Sequence, residues 1–174
     1  CRLLSDVIQY FQHDNSNLYV CSLDAEKCFD SIWHSGLFYK MRGVLPPCHW
    51  VFLRLWYSKL KSIVRWRDGN SESFDVTRGT RQGSVLSPSL FNVFINDLLV
   101  QLNELECGVR ILNFKCNSFA YADDVTLLSS TAPGLQELIN RCHDYARKWR
   151  FKYNHSKSQW MMTGKAGHTS SFYL

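Results

Sequence analysis

The feature that most constrains the fold of this chain is a pair of adjacent aspartates, Asp123 and Asp124, inside the otherwise apolar stretch 119–130. Short apolar runs flank the pair, and their aromatic and β-branched residues are typical of β-strands. The pattern predicts a hairpin with both carboxylates at its tip. Tight hairpins favour Asn-Gly or Asp-Gly turns, so two repelling carboxylates are an unusual structural choice. A divalent cation would neutralise them, because Mg²⁺ binds carboxylate oxygens.

A solvated acidic turn is the simpler interpretation of Asp123 and Asp124 when the pair is taken alone. A third carboxylate in a matching context shifts the balance towards a metal site. Residues 18–23 form another apolar run, which predicts a strand that delivers Asp24 at its C-terminal end.

The composition is that of an ordinary globular domain, with 174 residues, 45% of them hydrophobic and 20% charged. Its many aromatic residues argue against disorder. No apolar run approaches the roughly 18 residues of a membrane helix, so no membrane association is expected. The absence of an initiator Met and of a signal peptide predicts a piece of a longer product with an intracellular location, in the nucleus or the cytoplasm.

The net charge and the cysteines limit the kinds of partner and of stabilising scaffold that the chain can have. The net charge of +5 is compatible with a polyanionic partner. The seven cysteines form no CxxC pair, which argues against a zinc ribbon. An odd, scattered set of cysteines fits a reducing compartment better than a disulfide scaffold.

Periodicity and turn residues predict alternating helices and strands along the chain. The expected elements are a helix at 3–11, the strand at 18–23, one helix after Asp24 whose apolar face runs from Phe29 to Met41, a helix at 50–60, a hairpin around 68–70, a loop at 77–84, a helix from Ser87, a short strand within 107–115, the Asp-Asp hairpin, a helix after Thr131 and a last strand at Met161 and Met162.

This order predicts an α+β fold of the split βαβ, ferredoxin-like kind, an antiparallel sheet with helices on one face. In that arrangement the first strand and the central hairpin are neighbours, so Asp24 would converge with Asp123 and Asp124. Carboxylates from two separated elements can hold two metal ions for phosphoryl transfer. Asp24 and Asp123 are the candidate bridging ligands, with Asp124 in support.

Four stretches in order carry a family resemblance, at residues 18–34, 78–99, 119–130 and 149–164. They closely resemble the palm motifs of reverse transcriptases, above all those of the non-LTR (LINE-type) retrotransposon group, with the group II intron enzymes as relatives. The resemblance runs from about Leu3 to Gly164. It implies a reverse transcriptase domain over residues 1–165, a palm with partial fingers truncated at both ends, followed by a tail at 166–174.

The resemblance also assigns roles to individual residues. Asp24, Asp123 and Asp124 match the catalytic metal-binding aspartates, and Ala25 would lend a main-chain carbonyl to one ion. Phe29 matches the bulky residue that blocks a ribose 2′-hydroxyl. The remaining matches are Arg81, Gln82 and Gly83 at the incoming nucleotide or template, Ser87 and Pro88 under the template strand, Tyr121 beside the primer end, and Lys157, which would protonate the departing pyrophosphate.

Each of these residues has a structural alternative. Phe29 can be a core residue, Gln82 and Gly83 a turn, and Tyr121 an ordinary strand aromatic. Lys157 can be a solvated charge. The basic run formed by Arg147, Lys148, Arg150 and Lys152 can be a nucleic-acid rail or the cationic end of a helix. Two positions depart from the family pattern, which usually has Ala at Cys28 and an apolar residue at Thr80.

The function that the resemblance implies is RNA-directed DNA polymerisation by the catalytic core of a retrotransposon. The cofactors would be two Mg²⁺ ions, with Mn²⁺ as an alternative, and the partners an RNA template, a DNA primer and dNTPs. The missing thumb, endonuclease and upstream fingers strands leave a second interpretation open. In it the chain is an inactive relic or captured palm that serves as a nucleic-acid-binding or interaction module. A nucleotidyl cyclase would need only the carboxylates and a nucleotide pocket, and the loop around Arg81 argues against it.

Overall fold

A computed structural model describes residues 2–81, 83–121 and 124–164 of the chain. Its helices are α1 (Arg2–His13), α2 (Cys28–Ser31), α3 (His34–Met41), α4 (Pro47–Ser58), α5 (Ser87–Glu104) and α6 (Ala132–Trp149). Its strands are β1 (Leu18–Asp24), β2 (Lys61–Ser62), β3 (Arg65–Trp66), β4 (Gly69–Asn70), β5 (Phe74–Asp75), β6 (Val109–Ile111), β7 (Phe114–Cys116), β8 (Ser118–Tyr121), β9 (Asp124–Ser129) and β10 (Gln159–Thr163).

The main sheet has four strands in the order β10-β1-β9-β8, and every neighbouring pair is antiparallel. β1 is central, and it pairs with β9 as the predicted topology requires. Helices between β1 and β8 and between β9 and β10 complete the β-α-β-β-α-β order. The prediction of an α+β, ferredoxin-like palm is confirmed.

The described residues divide into two compact units. The first, here called the sheet unit, comprises residues 2–26, 96–121, 124–148 and 152–164. The second, the helical unit, comprises residues 27–81, 83–95 and 149–151. The tail predicted at 166–174 lies outside the described residues, and the boundary at 165 stays a prediction.

Apolar side chains at the predicted spacings form the core of the sheet unit. Val7 and Phe11 of α1 pack with Val20 of β1 and Leu128 of β9. The predicted stripe of α6 is buried at Leu135, Leu138, Ile139, Cys142, Tyr145 and Ala146 in this unit, and at Trp149, which belongs to the helical unit. Burial raises the pKa of the Cys21 thiol to about 11 and that of the Cys142 thiol to about 12. Both cysteines therefore remain protonated and behave as small apolar residues.

The prediction of one continuous helix after Asp24 is wrong. The chain leaves α2 at Ile32, where ψ is 116°, and Trp33 is extended with a ψ of 115° before α3 begins. Trp33 forms an isolated bridge with Arg78, and the Ile32 carbonyl accepts a 2.8 Å hydrogen bond from the Gly79 amide. A distant loop thus takes the hydrogen bonds that a continuous helix would have used.

A second correction concerns residues 107–115, where one short strand was expected. The structure has a hairpin, because β6 pairs with β7 between Val109 and Cys116. Leu112 in its turn has a φ of 53°, so the reversal is made without a glycine. Across the described part of the chain, no helix is both long enough and apolar enough to span a bilayer.

Candidate active site

Asp24 and Asp124 oppose each other at the end of the central strand pair. Asp24 is the last residue of β1, Asp124 is the first of β9, and the two are register partners in the antiparallel ladder. Directly opposed residues in such a ladder have Cα atoms about 4.5–5.5 Å apart and project to the same face. The predicted convergence of these two carboxylates is therefore what the described structure has.

The Asp124 position is also paired on its other side. Tyr121 ends β8 and is the register partner of Asp124, so Tyr121, Asp124 and Asp24 form one row across three strands. Tyr121 is 78% exposed. A tyrosine in this position presents its ring to solvent rather than to the core, which leaves it accessible to a ligand and is also compatible with an ordinary strand aromatic.

A turn before β10 fixes the main chain of Asp24. The Asn154 amide donates a 2.8 Å hydrogen bond to the Asp24 carbonyl, and the Asp24 amide donates to the Ser158 hydroxyl at 3.2 Å. The same hydroxyl donates to the Asn154 carbonyl at 2.8 Å. Sequence reasoning missed both residues. Their signal was present, because an Asn followed by two serines at alternate positions is typical of a turn in which side chains bind the backbone.

Two further predicted residues lie around this turn. Ala25 is buried and bridges to Tyr153, so its main chain is held immediately beyond Asp24. Lys157 is exposed, and its amide donates to the Asn154 carbonyl at 3.2 Å. The turn that anchors Asp24 therefore carries Lys157, and the lysine is joined to the aspartate through Asn154.

The two described carboxylates fit a Mg²⁺ site of the open kind. Neither Asp24 nor Asp124 has a side-chain hydrogen bond or an ion pair with any described residue. Opposed like charges destabilise a ladder, so this pair calls for a cation. The described residues contain no group of three or more His, Cys, Asp or Glu side chains placed to hold a metal. Mg²⁺ commonly uses one or two carboxylates and takes its other ligands from water and substrate phosphates.

Phe29 belongs to the helical unit, where its backbone and its ring are held separately. Its carbonyl accepts hydrogen bonds from the Thr80 amide at 2.8 Å and from the Thr80 hydroxyl at 3.3 Å. Its ring lies 5.3 Å from that of Phe91, centroid to centroid. Phe29 is only half-buried. Thr80 is buried, and its hydroxyl bond to Phe29 gives a reason for a polar residue where the family usually has an apolar one.

The loop after Thr80 leads into α5 through a local hydrogen-bonded turn. The Arg81 carbonyl accepts from the Ser84 amide at 3.1 Å and from the Ser87 hydroxyl at 2.8 Å. Ser87 is buried at the start of α5, and Pro88 follows it on the exposed side of the first turn. Pro is well suited to this position, since it lacks only an amide that would have no helical partner.

Gly83 is notable for its backbone conformation, and Arg81 for a side-chain contact. Gly83 has a φ of 77°, and no described atom lies within 4 Å of where a Cβ would be. The glycine is thus required by the backbone conformation, rather than by close packing within the chain. The Arg81 guanidinium lies 6.0 Å from the centroid of the Trp56 ring. Two predicted site residues, Asp123 and Gln82, lie outside the described residues.

His34 is a buried polar residue that sequence reasoning did not single out. Its Nε2 lies 2.6 Å from the Gly79 carbonyl, and its ring meets Tyr57 edge to face at 5.0 Å. Burial lowers the pKa of His34. A neutral imidazole with its proton on Nε2 donates to that carbonyl, so His34 ties α3 to the loop that precedes Arg81.

The fold is that of a palm domain in which two aspartates oppose each other at a strand end, and comparison with known proteins gives the family. The family model described as "Reverse transcriptase (RNA-dependent DNA polymerase)" matches residues 2–174. The chain belongs to this family, as the four motifs predicted.

The similar proteins include products of retrotransposons. The Pol polyprotein of the type-2 retrotransposable element R2DM from Drosophila melanogaster is 31% identical over 152 residues, which are 87% of this chain and 14% of that protein. The probable RNA-directed DNA polymerase from transposon BS of the same fly is 30% identical over 163 residues, 90% of this chain and 17% of that protein. The chain thus spans about a sixth of the length of these relatives or less.

Solved structures of telomerase share the fold. Telomerase from Candida tropicalis in complex with a fragment of telomeric RNA superimposes with a TM-score of 0.69, at 16% identity, over 99% of this chain and 31% of that one. The apo enzyme truncated from its C-terminal domain gives a TM-score of 0.68 over 97% of this chain and 36% of that one, again at 16% identity. At this identity the likeness concerns the fold alone.

Proposed function

We propose that this chain is the catalytic core of a retrotransposon reverse transcriptase, which extends a DNA primer with dNTPs on an RNA template. The observation that carries the proposal is the register pairing of Asp24 with Asp124 at the open end of the β1–β9 ladder. Two carboxylates that face each other, with no side-chain partner among the described residues, are unfavourable for stability and favourable for binding a metal–phosphate complex. Family membership supplies the reaction class, and the relatives named as RNA-directed DNA polymerases support it.

Asp24, Asp123 and Asp124 would hold two Mg²⁺ ions, with the Ala25 carbonyl as a further ligand. When bound, these ions would stabilise charge on the attacking and leaving oxygens of the phosphoryl transfer. In that reaction the primer 3′-hydroxyl attacks the α-phosphate of the dNTP, and pyrophosphate leaves. Most of the catalytic effect would come from positioning and electrostatics.

The chain's other residues would orient the substrates and move the proton. Phe29 excludes a ribose 2′-hydroxyl from the nucleotide site. Arg81, Gln82 and Gly83 contact the incoming nucleotide or the template, with Ser87 and Pro88 beneath the template strand. Tyr121, exposed on the row of the aspartates, supports the primer end. Lys157, on the turn that anchors Asp24, donates a proton to the departing pyrophosphate.

Primer extension on an RNA template tests the proposal directly. The assay contains Mg²⁺ and dNTPs and compares this chain with a longer protein that includes its natural flanking sequence. Asp123→Asn and Asp24→Asn should abolish extension in whichever protein is active, while circular dichroism shows an intact fold. Wild-type-like extension by these variants would disprove the catalytic assignment. Absence of extension from both folded proteins would favour an inactive binding module.

A further inference from the structure

We propose that a basic, aromatic cavity in the helical unit binds nucleotides of single-stranded RNA. The cavity has a volume of about 630 Å³, and its wall includes residues of α3 and α4 and the segment 75–78. None of the described residues assigned above to catalysis, nucleotide binding or primer–template binding lines it. Its volume is within the range of about 300–1,000 Å³ that is typical of ligand pockets.

The charge of the cavity is the first argument. Four arginines line it, Arg42, Arg54, Arg78 and Arg150, and all four are exposed. The lining contains one carboxylate, Asp75, which lies 3.7 Å from Lys61 outside the cavity. Within the described part of the chain, none of the four arginines forms an ion pair. Such a wall is complementary to a polyanion, since no described carboxylate is paired with any of its four guanidinium groups.

The aromatic rings of the wall are the second argument. The Arg150 guanidinium lies 4.1 Å from the centroid of the Trp33 ring, and the Arg54 guanidinium lies 5.1 Å from that of Trp50. The Trp50 indole N–H donates a 2.8 Å hydrogen bond to the Phe38 carbonyl, which fixes that ring. Single-stranded RNA is bound in this way by proteins in general, with bases stacked on aromatic rings or guanidinium planes and phosphates on arginines.

The backbone around the cavity is built to present these groups. Trp33 lies in the extended break between α2 and α3 and is bridged to Arg78, so one indole and one guanidinium share a backbone link. Arg150 follows the end of α6 with a φ of 64°, a conformation that residues other than glycine seldom adopt. The basic run at the end of α6 is divided accordingly. Arg147 pairs with Asp144 at 3.2 Å, and Arg150 lines the cavity.

RNA is favoured over an acidic protein segment because the wall offers flat rings as well as charge. The rings include Tyr39, which is 75% exposed. The choice of RNA over other polyanions rests on the proposed function, in which an RNA template is a substrate. The site would hold unpaired nucleotides, whose bases are free to stack.

Fluorescence anisotropy with a short, labelled single-stranded RNA tests the cavity without any need for catalysis. The double variant Arg54→Gln/Arg78→Gln should weaken binding at least about tenfold. The matched control Arg2→Gln/Arg141→Gln removes the same charge from exposed positions of the sheet unit and should change the Kd by less than about twofold. The slope of log K against log salt should fall by about 0.7 for each phosphate that the variant no longer neutralises.

Each of three outcomes of the binding assay would overturn the proposal. In the first, the cavity variant and the control lose binding equally, which means that the RNA senses only net charge. In the second, wild-type protein binds no RNA. In the third, poly-glutamate displaces the RNA as well as unlabelled RNA does. Photo-crosslinking with 4-thiouridine should label the segments that contain Trp33, Tyr39 or Trp50, and labelling confined to other segments would also contradict the assignment.

The RNA-binding experiment and the primer-extension experiment can fail independently of each other. If the cavity variant loses RNA binding and wild-type protein extends no primer, the cavity stands and the polymerase proposal fails. If wild-type protein extends a primer and the cavity variant binds RNA as tightly as the control, the cavity fails and the polymerase proposal stands.

Discussion

The two units hold their candidate functional residues by different means. In the sheet unit, Asp24, Asp124 and Tyr121 occupy consecutive register positions across three hydrogen-bonded strands. In the helical unit, Phe29 is held by hydrogen bonds to Thr80, a residue 51 positions away in sequence. A strand end positions a side chain through regular pairing, whereas a loop does so through a few specific contacts. We therefore expect substitutions to affect chemistry in the first unit, and geometry and selectivity in the second.

The pairing of like charges has a cost that can be measured. Opposed carboxylates weaken a strand pair, typically by about 0.2–1 kcal/mol. Asp24 and Asp124 have no described side-chain partner to offset this. We therefore expect the two aspartates to lower the free energy of unfolding when no cation is bound. Metal binding should raise it again.

The largest expected effect is therefore that of Asp124→Asn, which leaves the ladder intact and removes one charge. Primer extension should fall by about 10²–10³-fold, since one preorganised charge that stabilises the transition state is removed. Thermal unfolding in EDTA should show equal or greater stability than the wild type. Mg²⁺ should raise the unfolding temperature of the wild-type protein more than that of the variant.

Asp144→Asn is the matched control, because Asp144 is an exposed carboxylate of the same unit that pairs with Arg147. It should retain extension and the Mg²⁺ response. Should Asp124→Asn lower the unfolding temperature in EDTA by several degrees, the carboxylate would have a structural role that the described contacts do not contain.

The second prediction concerns selectivity in the helical unit. Phe29→Val should reduce discrimination against ribonucleotides by at least about 10-fold, since a difference of one methylene in a pocket already changes selectivity by about 10–200-fold. Extension with dNTPs should change far less. The measurement is the ratio of kcat/KM values for a dNTP and the matching ribonucleotide.

Phe91→Leu separates gating from packing, because it removes the ring that Phe29 packs against at 5.3 Å and leaves Phe29 in place. It should destabilise the protein with little change in sugar selection. An equal loss of selection in both variants would mean that the position of the ring matters more than its bulk at residue 29.

The third prediction tests the turn that anchors Asp24. Ser158→Ala removes the acceptor of the Asp24 amide and should destabilise the protein by about 1–3 kcal/mol, the usual cost of a buried group left without a partner. Extension should fall through kcat, since the aspartate is less well positioned. Urea denaturation and single-turnover kinetics give the two numbers.

Ser156→Ala is the control from the same turn. Its hydroxyl binds the exposed Asn154 side chain at 2.7 Å and does not contact Asp24. Its effect on stability should stay below about 0.5 kcal/mol. If both serine variants reduce kcat alike, the whole turn, rather than the hydrogen bond to Asp24, is what activity depends on.

The sequence was sufficient to predict the main sheet of the sheet unit because its signals are local, although the β6–β7 hairpin of the same unit was expected as a single strand. Short apolar runs rich in aromatic and β-branched residues identified β1 and β9 as strands. The stripe of α6 and the Thr131 cap were likewise readable, and the Thr131 hydroxyl accepts from the Gly134 amide at 3.2 Å. The opposition of Asp24 and Asp124 then followed from topology.

The helical unit could not be predicted to the same depth, because non-local contacts override its local pattern. Ile32 and Trp33 fit the apolar spacing of one long helix, and only their bonds to Gly79 and Arg78 break it. The cavity wall combines segments that are far apart in sequence, so no local sequence motif could predict the cavity. His34 gave no signal for the same reason, since its partner Gly79 lies 45 residues away.

The smallest expected effect is a pH dependence that belongs to the helical unit. Burial lowers the pKa of His34 in the folded protein, while an unfolded histidine titrates near about 6.5. Below that pH the unfolded chain binds a proton that the folded chain does not. The free energy of unfolding should therefore decrease as the pH is lowered, and it should become constant below the pKa of the folded protein. The glutamine in His34→Gln can still donate to the Gly79 carbonyl, but it does not titrate. The variant should therefore lose less stability than the wild type as the pH is lowered.

Thermal unfolding between pH 7 and pH 5 measures this loss of stability, and hydrogen exchange of the amides at 77–81 reports on the loop itself. His143→Gln changes an exposed histidine of the sheet unit and should leave the loss of stability as in the wild type. A parallel fall in stability for wild type and His34→Gln would assign the acid sensitivity to other groups. A weaker dependence of stability on pH in His34→Gln, together with earlier exchange at 77–81 in the wild type at low pH, would show that His34 secures this loop.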